Sequence, residues 1–176
     1  MNEMAVPTTF CARDGSELCF RCIRPDDVDA IQRLFLRLSP EEIRMRFQYG
    51  IGYLSPRAAL RFCELDPALE AAFVLMDMTV EPAEMRGVGR IYADATTHTA
   101  EFAVLVERAW TGRGLGAFLM RQLIDECRRR ELDEIWGQVL LENRPMLDLC
   151  RDLGFRRLRP QTEPGTALIS LRLDTD

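Results

Sequence analysis

An apolar segment, a glycine-rich turn and an amphipathic helix follow one another near the middle of this chain. Residues 100–106 are almost all apolar, residues 111–117 read T-G-R-G-L-G-A, and apolar side chains then recur at helical spacing to Arg130. Glycines in a strand-to-helix turn let a ligand approach the backbone closely, and free N–H groups there face an anion such as a phosphate. The sequence therefore predicts an anion-binding turn between a strand and a helix.

Two common phosphate-binding turns can be compared with this one. A P-loop requires a lysine after its last glycine, and the chain contains no lysine. A dinucleotide-binding turn would use Gly112, Gly114 and Ala117 with an acid about 20 residues further on, for which Asp133 or Glu134 could serve. That turn normally begins a series of strand–helix units, and only one such unit follows here.

The scarcity of basic nucleophiles and metal ligands excludes several kinds of site. A chain without lysine has no Schiff-base lysine and no Ser–Lys pair, and a single histidine cannot form a two-histidine metal site. That histidine, His98, stands in the polar run D-A-T-T-H-T, which favours an exposed loop over a hydrolase triad. Cys19 and Cys22 are three apart in a predicted strand and so point to opposite faces, while Cys127 and Cys150 fall on apolar helical faces. We therefore expect buried free thiols and no metal.

The charge and the length of the apolar runs indicate the surroundings of the protein. The net charge is −5 with no basic stripe, so we expect no nucleic-acid partner. No apolar run reaches about 18 residues, and residues 1–9 lack the pattern of a signal peptide. We expect a cytoplasmic protein, monomeric or homodimeric, with no membrane partner.

The periodicity of apolar residues predicts a mixed α/β (α+β) architecture. The predicted order is βααβββαβαββ, with about six to seven strands flanked by helices in one domain, residues 1–176, whose core spans about 18–173. A strand is expected over 134–140 and a helix over 143–153, with Asn143 as its N-cap. The apolar run 100–106 is expected to be a strand buried on both faces.

The glycine turn and a later segment resemble the two motifs of the GNAT superfamily of N-acetyltransferases. Motif A has the pattern Gln/Arg-x-x-Gly-x-Gly/Ala, in which Thr111 replaces the usual Gln or Arg, and residues 139–155 resemble motif B. The resemblance implies a GNAT fold that binds acetyl-CoA, with Asn143 contacting the pantetheine arm. It also implies that the glycine turn binds the diphosphate of the cofactor, through Gly112, Arg113, Gly114, Leu115, Gly116 and Ala117. At the end of the preceding strand, it implies that backbone groups polarise the thioester; the residues are Val104, Leu105 and Val106.

Three further stretches are similar to the GNAT domain of bacterial protein lysine acetyltransferases. These are residues 38–47, 100–106 and 137–146. The similarity implies direct acetyl transfer to an amine, in this case a lysine of another protein. A small-molecule amine or amino acid is the alternative acceptor, and a non-catalytic acyl-CoA-binding sensor is a second alternative.

The chemistry of acetyl transfer directs attention to the acids near the motifs. A lysine amine has a pKa of about 10.4 and is almost fully protonated near neutral pH, so a general base helps. Glu101 interrupts an apolar strand, where a carboxylate is costly unless it is paired or lines a cavity, and the resemblance gives this role to the Glu of A-E-F. Glu107 and Glu142 are weaker candidates. Cys150 stands where many GNAT enzymes carry a tyrosine acid, although packing is the more ordinary role for it.

Overall fold

An eight-stranded mixed sheet runs through the computed structural model, which describes residues 6–47, 53–158 and 164–173, with backbone alone at 46 and 47. The strands are β1 (Thr8–Cys11), β2 (Glu17–Cys22), β3 (Glu70–Asp77), β4 (Glu84–Asp94), β5 (Thr99–Val106), β6 (Glu134–Leu140), β7 (Arg156–Arg157) and β8 (Thr166–Arg172). The helices are α1 (Val28–Arg37), α2 (Pro40–Phe47), α3 (Pro56–Cys63), α4 (Leu115–Arg129) and α5 (Arg144–Asp152). The strand order is β1-β2-β3-β4-β5-β6-β8-β7, and β5–β6 is the parallel pair in this order.

Local signals explain where the helices begin. Ser39 forms a capping box at the start of α2, because its backbone N–H donates to Glu42 and its hydroxyl accepts from the backbone N–H of Glu42. Ser55 caps α3 in the same way, by accepting from the backbone N–H of Ala58. The carboxamide oxygen of Asn143 accepts from the backbone N–H of Met146, which confirms it as the N-cap of α5.

The helices cover both faces of the sheet and produce two apolar cores. One core packs α4 and α5 against the sheet, with Leu119 and Leu123 fully buried. The other packs α1 and α3 against the opposite face, with Leu34 and Cys63 buried. None of the helices in the described ranges is both long and apolar enough to cross a membrane.

The mixed α/β prediction is confirmed, but two elements differ from it. The count of six to seven strands was too low, because β1 precedes the expected core and pairs with β2 through the turn at residues 12–16. A four-residue strand with the sequence T-T-F-C gives too little alternation to be recognised. The predicted order has two helices after its first strand, whereas the described residues form three there, because Pro56–Cys63 is a separate helix, α3.

The cysteines follow the prediction in part. All six are free. Cys19 and Cys22 pack against different cores and therefore lie on opposite faces of β2. Cys63, Cys127 and Cys150 are buried, but Cys11 is exposed and Cys19 and Cys22 are only half-buried, because β1 is the edge strand of the sheet and β2 lies next to it.

Strands β5 and β6 pair briefly and then separate. Their register covers only Thr99–Glu101 opposite Glu134–Trp136, although β5 pairs with β4 along its whole length. The prediction that β5 is buried on both faces was therefore wrong: Phe102 and Val104 are buried, but Glu101 is exposed and Leu105 is half-buried. The separation leaves the edge of β5 unpaired toward its end and opens a gap in the sheet.

Candidate active site

A cleft of about 610 Å³ opens where β5 and β6 separate. We call it the main cleft. Its walls are the end of β5, the glycine turn, the beginning of α4, the beginning of α5 and part of α2. The residues of these elements that line it include Val104, Leu105, Val106, Thr111, Gly112, Gly114, Gly116, Ala117 and Asn143.

Positive φ angles shape the glycine turn. Gly112 has φ of 76° and Gly114 has φ of 93°, a region that side chains rarely adopt. A Cβ built on Gly112 would meet nothing within 4 Å, so open space lies beside this part of the backbone. Helix α4 then starts at Leu115, and its first N–H groups have no partners within the helix. The turn therefore presents backbone donors and the positive end of a helix dipole to the main cleft.

The side chains of Arg113 and Leu115 do not take part in lining the main cleft. Leu115 is buried in the core. Arg113 donates to Asp14 at 2.7 Å and to the carbonyl of Ala109, and its guanidinium lies 4.4 Å from the ring centre of Trp110. Their predicted part in anion binding is thereby limited to their backbone groups.

A second, smaller cavity lies beside the main cleft and contains Glu101. This cavity, the side hollow, measures about 120 Å³. It shares Met45, Val104, Asn143 and Met146 with the main cleft and adds Tyr92, Glu101 and Gln138. A group held in one cavity is thus adjacent to a group held in the other.

A buried arginine supports the wall of the side hollow. Tyr92 of β4 lies directly opposite Glu101 of β5. The hydroxyl of Tyr92 accepts a hydrogen bond of 2.8 Å from Arg90, which is 4% exposed. Arg90 also donates to the carbonyl of Phe62. The phenol is therefore held in one orientation beside the carboxylate.

The other candidate acids and the histidine lie in different surroundings. Glu107 is buried and bridges Arg37 at 3.1 Å and Arg86 at 3.0 Å, so it ties the end of β5 to α1 and β4. Glu142 forms an ion pair with Arg44 of α2. His98 is exposed in the turn between β4 and β5 with φ of 53°.

Cys150 lies in the core rather than in either cavity. Its side chain belongs to the core that packs α4 and α5 against the sheet. Burial raises the pKa of this thiol to about 12. A thiol in these surroundings is a poor proton donor, and packing accounts for its position.

Metal ligation has no support in the described ranges, where no group of three or more His, Cys, Asp or Glu residues could hold a metal ion.

The residues that sequence reasoning missed are Arg13, Trp110 and Tyr92, all of which line one of the two cavities. The alternation of β4 could have placed Tyr92 and Arg90 on one face. No local signal brings Arg13 to the glycine turn.

Comparison with known proteins gives the family. The model of the acetyltransferase (GNAT) family matches residues 40–155. The chain belongs to this family. A curated acetyltransferase of Pseudomonas aeruginosa is 33% identical over 144 residues, which cover 81% of this chain and 76% of that protein.

Solved structures of GNAT proteins share the fold. The GNAT domain of S. lividans PAT superposes with a TM-score of 0.85 at 24% identity, covering 95% of this chain and 97% of that one. The yncA protein of Salmonella typhimurium, solved with its cofactor acetyl-CoA, gives a TM-score of 0.70 at 20% identity, with 92% and 96% covered.

Membership of the GNAT family makes this chain an acyltransferase that uses acetyl-CoA. The residues of the main cleft fit that cofactor. The open space beside Gly112, which has a positive φ, leaves room for a diphosphate against the backbone, and the start of α4 favours an anion there. The unpaired edge of β5 offers backbone groups to an amide-bearing chain such as pantetheine.

Proposed function

We propose that this GNAT acetyltransferase acetylates the side-chain amine of a lysine on another protein, with Glu101 as the general base. The observation that carries the proposal is the position of Glu101. Its carboxylate lines the side hollow, and that hollow adjoins the main cleft through Val104, Asn143 and Met146. An amine entering the side hollow would meet the carboxylate next to the end of β5.

In this proposal acetyl-CoA occupies the main cleft. The backbone of the glycine turn holds its diphosphate through Gly112, Gly114, Gly116 and Ala117, and Asn143 contacts its pantetheine arm. Backbone N–H groups of Val104, Leu105 and Val106 polarise the thioester carbonyl, where negative charge develops during transfer. Acetyl-CoA supplies the thioester whose C–S bond breaks as the amine nitrogen bonds to the carbonyl carbon.

Glu101 handles the proton of the acceptor. A lysine arrives mostly as ammonium, which cannot attack a carbonyl. The Glu101 carboxylate takes one proton from the ammonium, directly or through a water, and Tyr92 across the strand pair limits where the amine can sit. As the amide forms, its nitrogen loses the second proton to water. The CoA thiolate leaves without a proton from Cys150, because burial raises the pKa of that thiol to about 12.

The size and charge of the side hollow favour a lysine side chain as the acceptor. A cavity of about 120 Å³ is smaller than the pockets of roughly 300–1,000 Å³ that enclose whole small molecules. Among the described residues that line it, Glu101 is the one with a formal charge, so these residues supply no cation for the carboxylate of a free amino acid. An unbranched alkylamine attached to a larger molecule fits this environment.

Free thiols suit a reducing compartment, and we place the reaction in the cytoplasm.

Acetyl-lysine formation on an added protein tests the acceptor class. The enzyme has no lysine, so any acetyl-lysine in the mixture lies on the acceptor. We expect release of CoA with a protein or peptide that contains lysine, no release with the same peptide after Lys→Arg substitution, and at least about tenfold lower kcat/KM with free L-lysine. Turnover with free amines alone would contradict the proposal.

One observation favours a small cationic amine as the second candidate. Within the described part of the chain, the charged residues that line the main cleft are four carboxylates, Glu41, Glu42, Asp148 and Asp152, and two arginines, Arg13 and Arg108. The excess of negative charge attracts a molecule with several positive charges. Spermidine belongs in the acceptor panel for this reason, and a kcat/KM for spermidine above that of every lysine peptide would favour the second candidate.

A further inference from the structure

The hairpin between β1 and β2 is docked on the glycine turn. The backbone N–H of Arg13 donates to the carbonyl of Arg113 at 2.9 Å. The carboxylate of Asp14 accepts from the guanidinium of Arg113 at 2.7 Å. One backbone and one side-chain contact thus fix residues that are about a hundred positions apart in sequence, and they set the position of Arg13.

Arg113 is occupied by this docking. Its guanidinium donates to Asp14 and to the carbonyl of Ala109, and it stacks on Trp110. Trp110 in turn has Arg86 on its ring at 5.2 Å. The positive charge of Arg113 is therefore paired with Asp14, and its side chain does not line the main cleft.

The side chain of Arg13, unlike that of Arg113, faces the main cleft. Its side chain is exposed and lines the main cleft. Its Cγ and Nε both lie 3.6 Å from the point where a Cβ on Gly114 would stand, so the side chain passes directly over the last residue before α4. Within residues 6–47, 53–158 and 164–173, no hydrogen bond or ion pair engages its guanidinium.

Within residues 111–117, no cationic side chain lines the main cleft. Thr111 stands where the sequence motif usually has Gln or Arg. Thr111 lines the main cleft, but its hydroxyl donates to the carbonyl of Arg108 at 2.8 Å and brings no positive charge to the cleft. The cationic or polar partner expected at this position is therefore missing from the turn.

We propose that Arg13 binds the diphosphate of CoA and replaces the side chain lost at Thr111. A guanidinium forms paired, charge-assisted hydrogen bonds with phosphate oxygens, and here it stands beside the start of a helix that also favours an anion. The inference rests on the placement of acetyl-CoA in the main cleft given under the proposed function. It assigns a binding role to the first hairpin, which lies outside both sequence motifs.

Calorimetric titration with CoA and with dephospho-CoA tests the role of Arg13. Dephospho-CoA retains the diphosphate and lacks the 3′-phosphate. We expect Arg13→Met to raise Kd by about 10- to 100-fold for both ligands, the range of a hydrogen bond between charged groups, and Arg13→Lys to lose less. Arg128→Met, which removes an exposed arginine in the last turn of α4, is the matched control and should bind CoA as the wild type does.

A second variant tests whether Arg13 takes the diphosphate-binding role of the Gln or Arg that the motif usually has at position 111. Thr111→Gln in the Arg13→Met background should recover part of the lost CoA affinity, and it should add less affinity in the wild-type background. An unchanged melting temperature of each variant would show that the fold is intact. The contacts that dock the hairpin use Asp14 and the backbone of Arg13, which the substitutions leave in place.

The outcomes separate this inference from the proposed function. Unchanged CoA affinity in folded Arg13→Met would overturn the role of Arg13 and leave the main cleft as the cofactor site. A loss seen with CoA but absent with dephospho-CoA would also overturn it, because Arg13 would then contact the 3′-phosphate. A wild type that binds neither ligand would overturn the placement of the cofactor itself.

Discussion

Phe102 of β5 lies against Gly137 of β6 at the point where the two strands separate: a Cβ built on Gly137 would stand 2.6 Å from Cε1 of Phe102. The ring also packs edge-on against Phe155 at 5.5 Å between ring centres. The last paired residues, Glu101 and Trp136, immediately precede Phe102 and Gly137. The phenyl ring therefore occupies the place that a side chain on β6 would need, and Phe102 also lines the side hollow.

Gly137→Ala should disturb this contact. The added methyl group must displace Phe102, and overpacking of this kind costs about 1–3 kcal/mol in the free energy of unfolding. Urea denaturation measures the loss. Phe102→Leu in the same chain should recover a large part of it, because the smaller side chain makes room for the methyl group. Equal stability of wild type and Gly137→Ala would mean that the ring does not fill this position.

Features encoded by neighbouring residues could be predicted from the sequence, and features made by distant ones could not. The boundaries of β6 and the N-cap at Asn143 depend on local patterns and match the structure. The contact of Gly137 with Phe102 and the docking of Arg13 on the glycine turn join separate segments. The burial of Arg90 could not be predicted from the sequence either, because its partners are Tyr92 and a backbone carbonyl rather than a neighbouring acid.

Tyr92→Phe should change acceptor binding more than cofactor binding. The substitution removes the hydroxyl that accepts from buried Arg90, and a buried donor left without a partner costs about 1–3 kcal/mol of stability. Because Tyr92 lines the side hollow but not the main cleft, we expect KM for the lysine acceptor to rise and Kd for CoA to stay within about twofold of the wild-type value. A change in CoA affinity with unchanged acceptor KM would contradict this division between the two cavities.

Asp77→Asn should weaken the protein at neutral pH and reduce its sensitivity to acid. Burial favours the protonated form of Asp77, but hydrogen bonds from Thr79 and Arg86 outweigh it and hold the pKa of this carboxyl below its usual value. A lowered native pKa contributes stability above the ordinary value near 3.8, and this contribution is lost as the pH falls through the native pKa.

Denaturation in urea at pH 7 and at pH 3 measures both effects of Asp77→Asn. We expect the variant to lose about 1.5–3 kcal/mol at pH 7, the range for a hydrogen bond between charged groups, and the difference from wild type to shrink at pH 3. Glu64→Gln, at an exposed acid after α3, is the control and should change neither value. A difference that is as large at pH 3 as at pH 7 would show that ionisation of Asp77 is not the cause.

Glu101→Gln should separate catalysis from binding. Glutamine keeps the shape of the side chain but cannot accept the proton of the incoming ammonium, so the rate constant for transfer should fall by about 10²- to 10⁴-fold. Kd for CoA should stay within about twofold, because Glu101 does not line the main cleft. The acidic limb of the pH–rate profile should flatten, with activity recovering only as the pH approaches the acceptor pKa of about 10.4. Glu142→Gln, at the half-exposed partner of Arg44, is the matched control and should retain most of the rate. Near-normal turnover by folded Glu101→Gln would exclude Glu101 as the base, and a large loss in Glu142→Gln alone would transfer the role to that carboxylate.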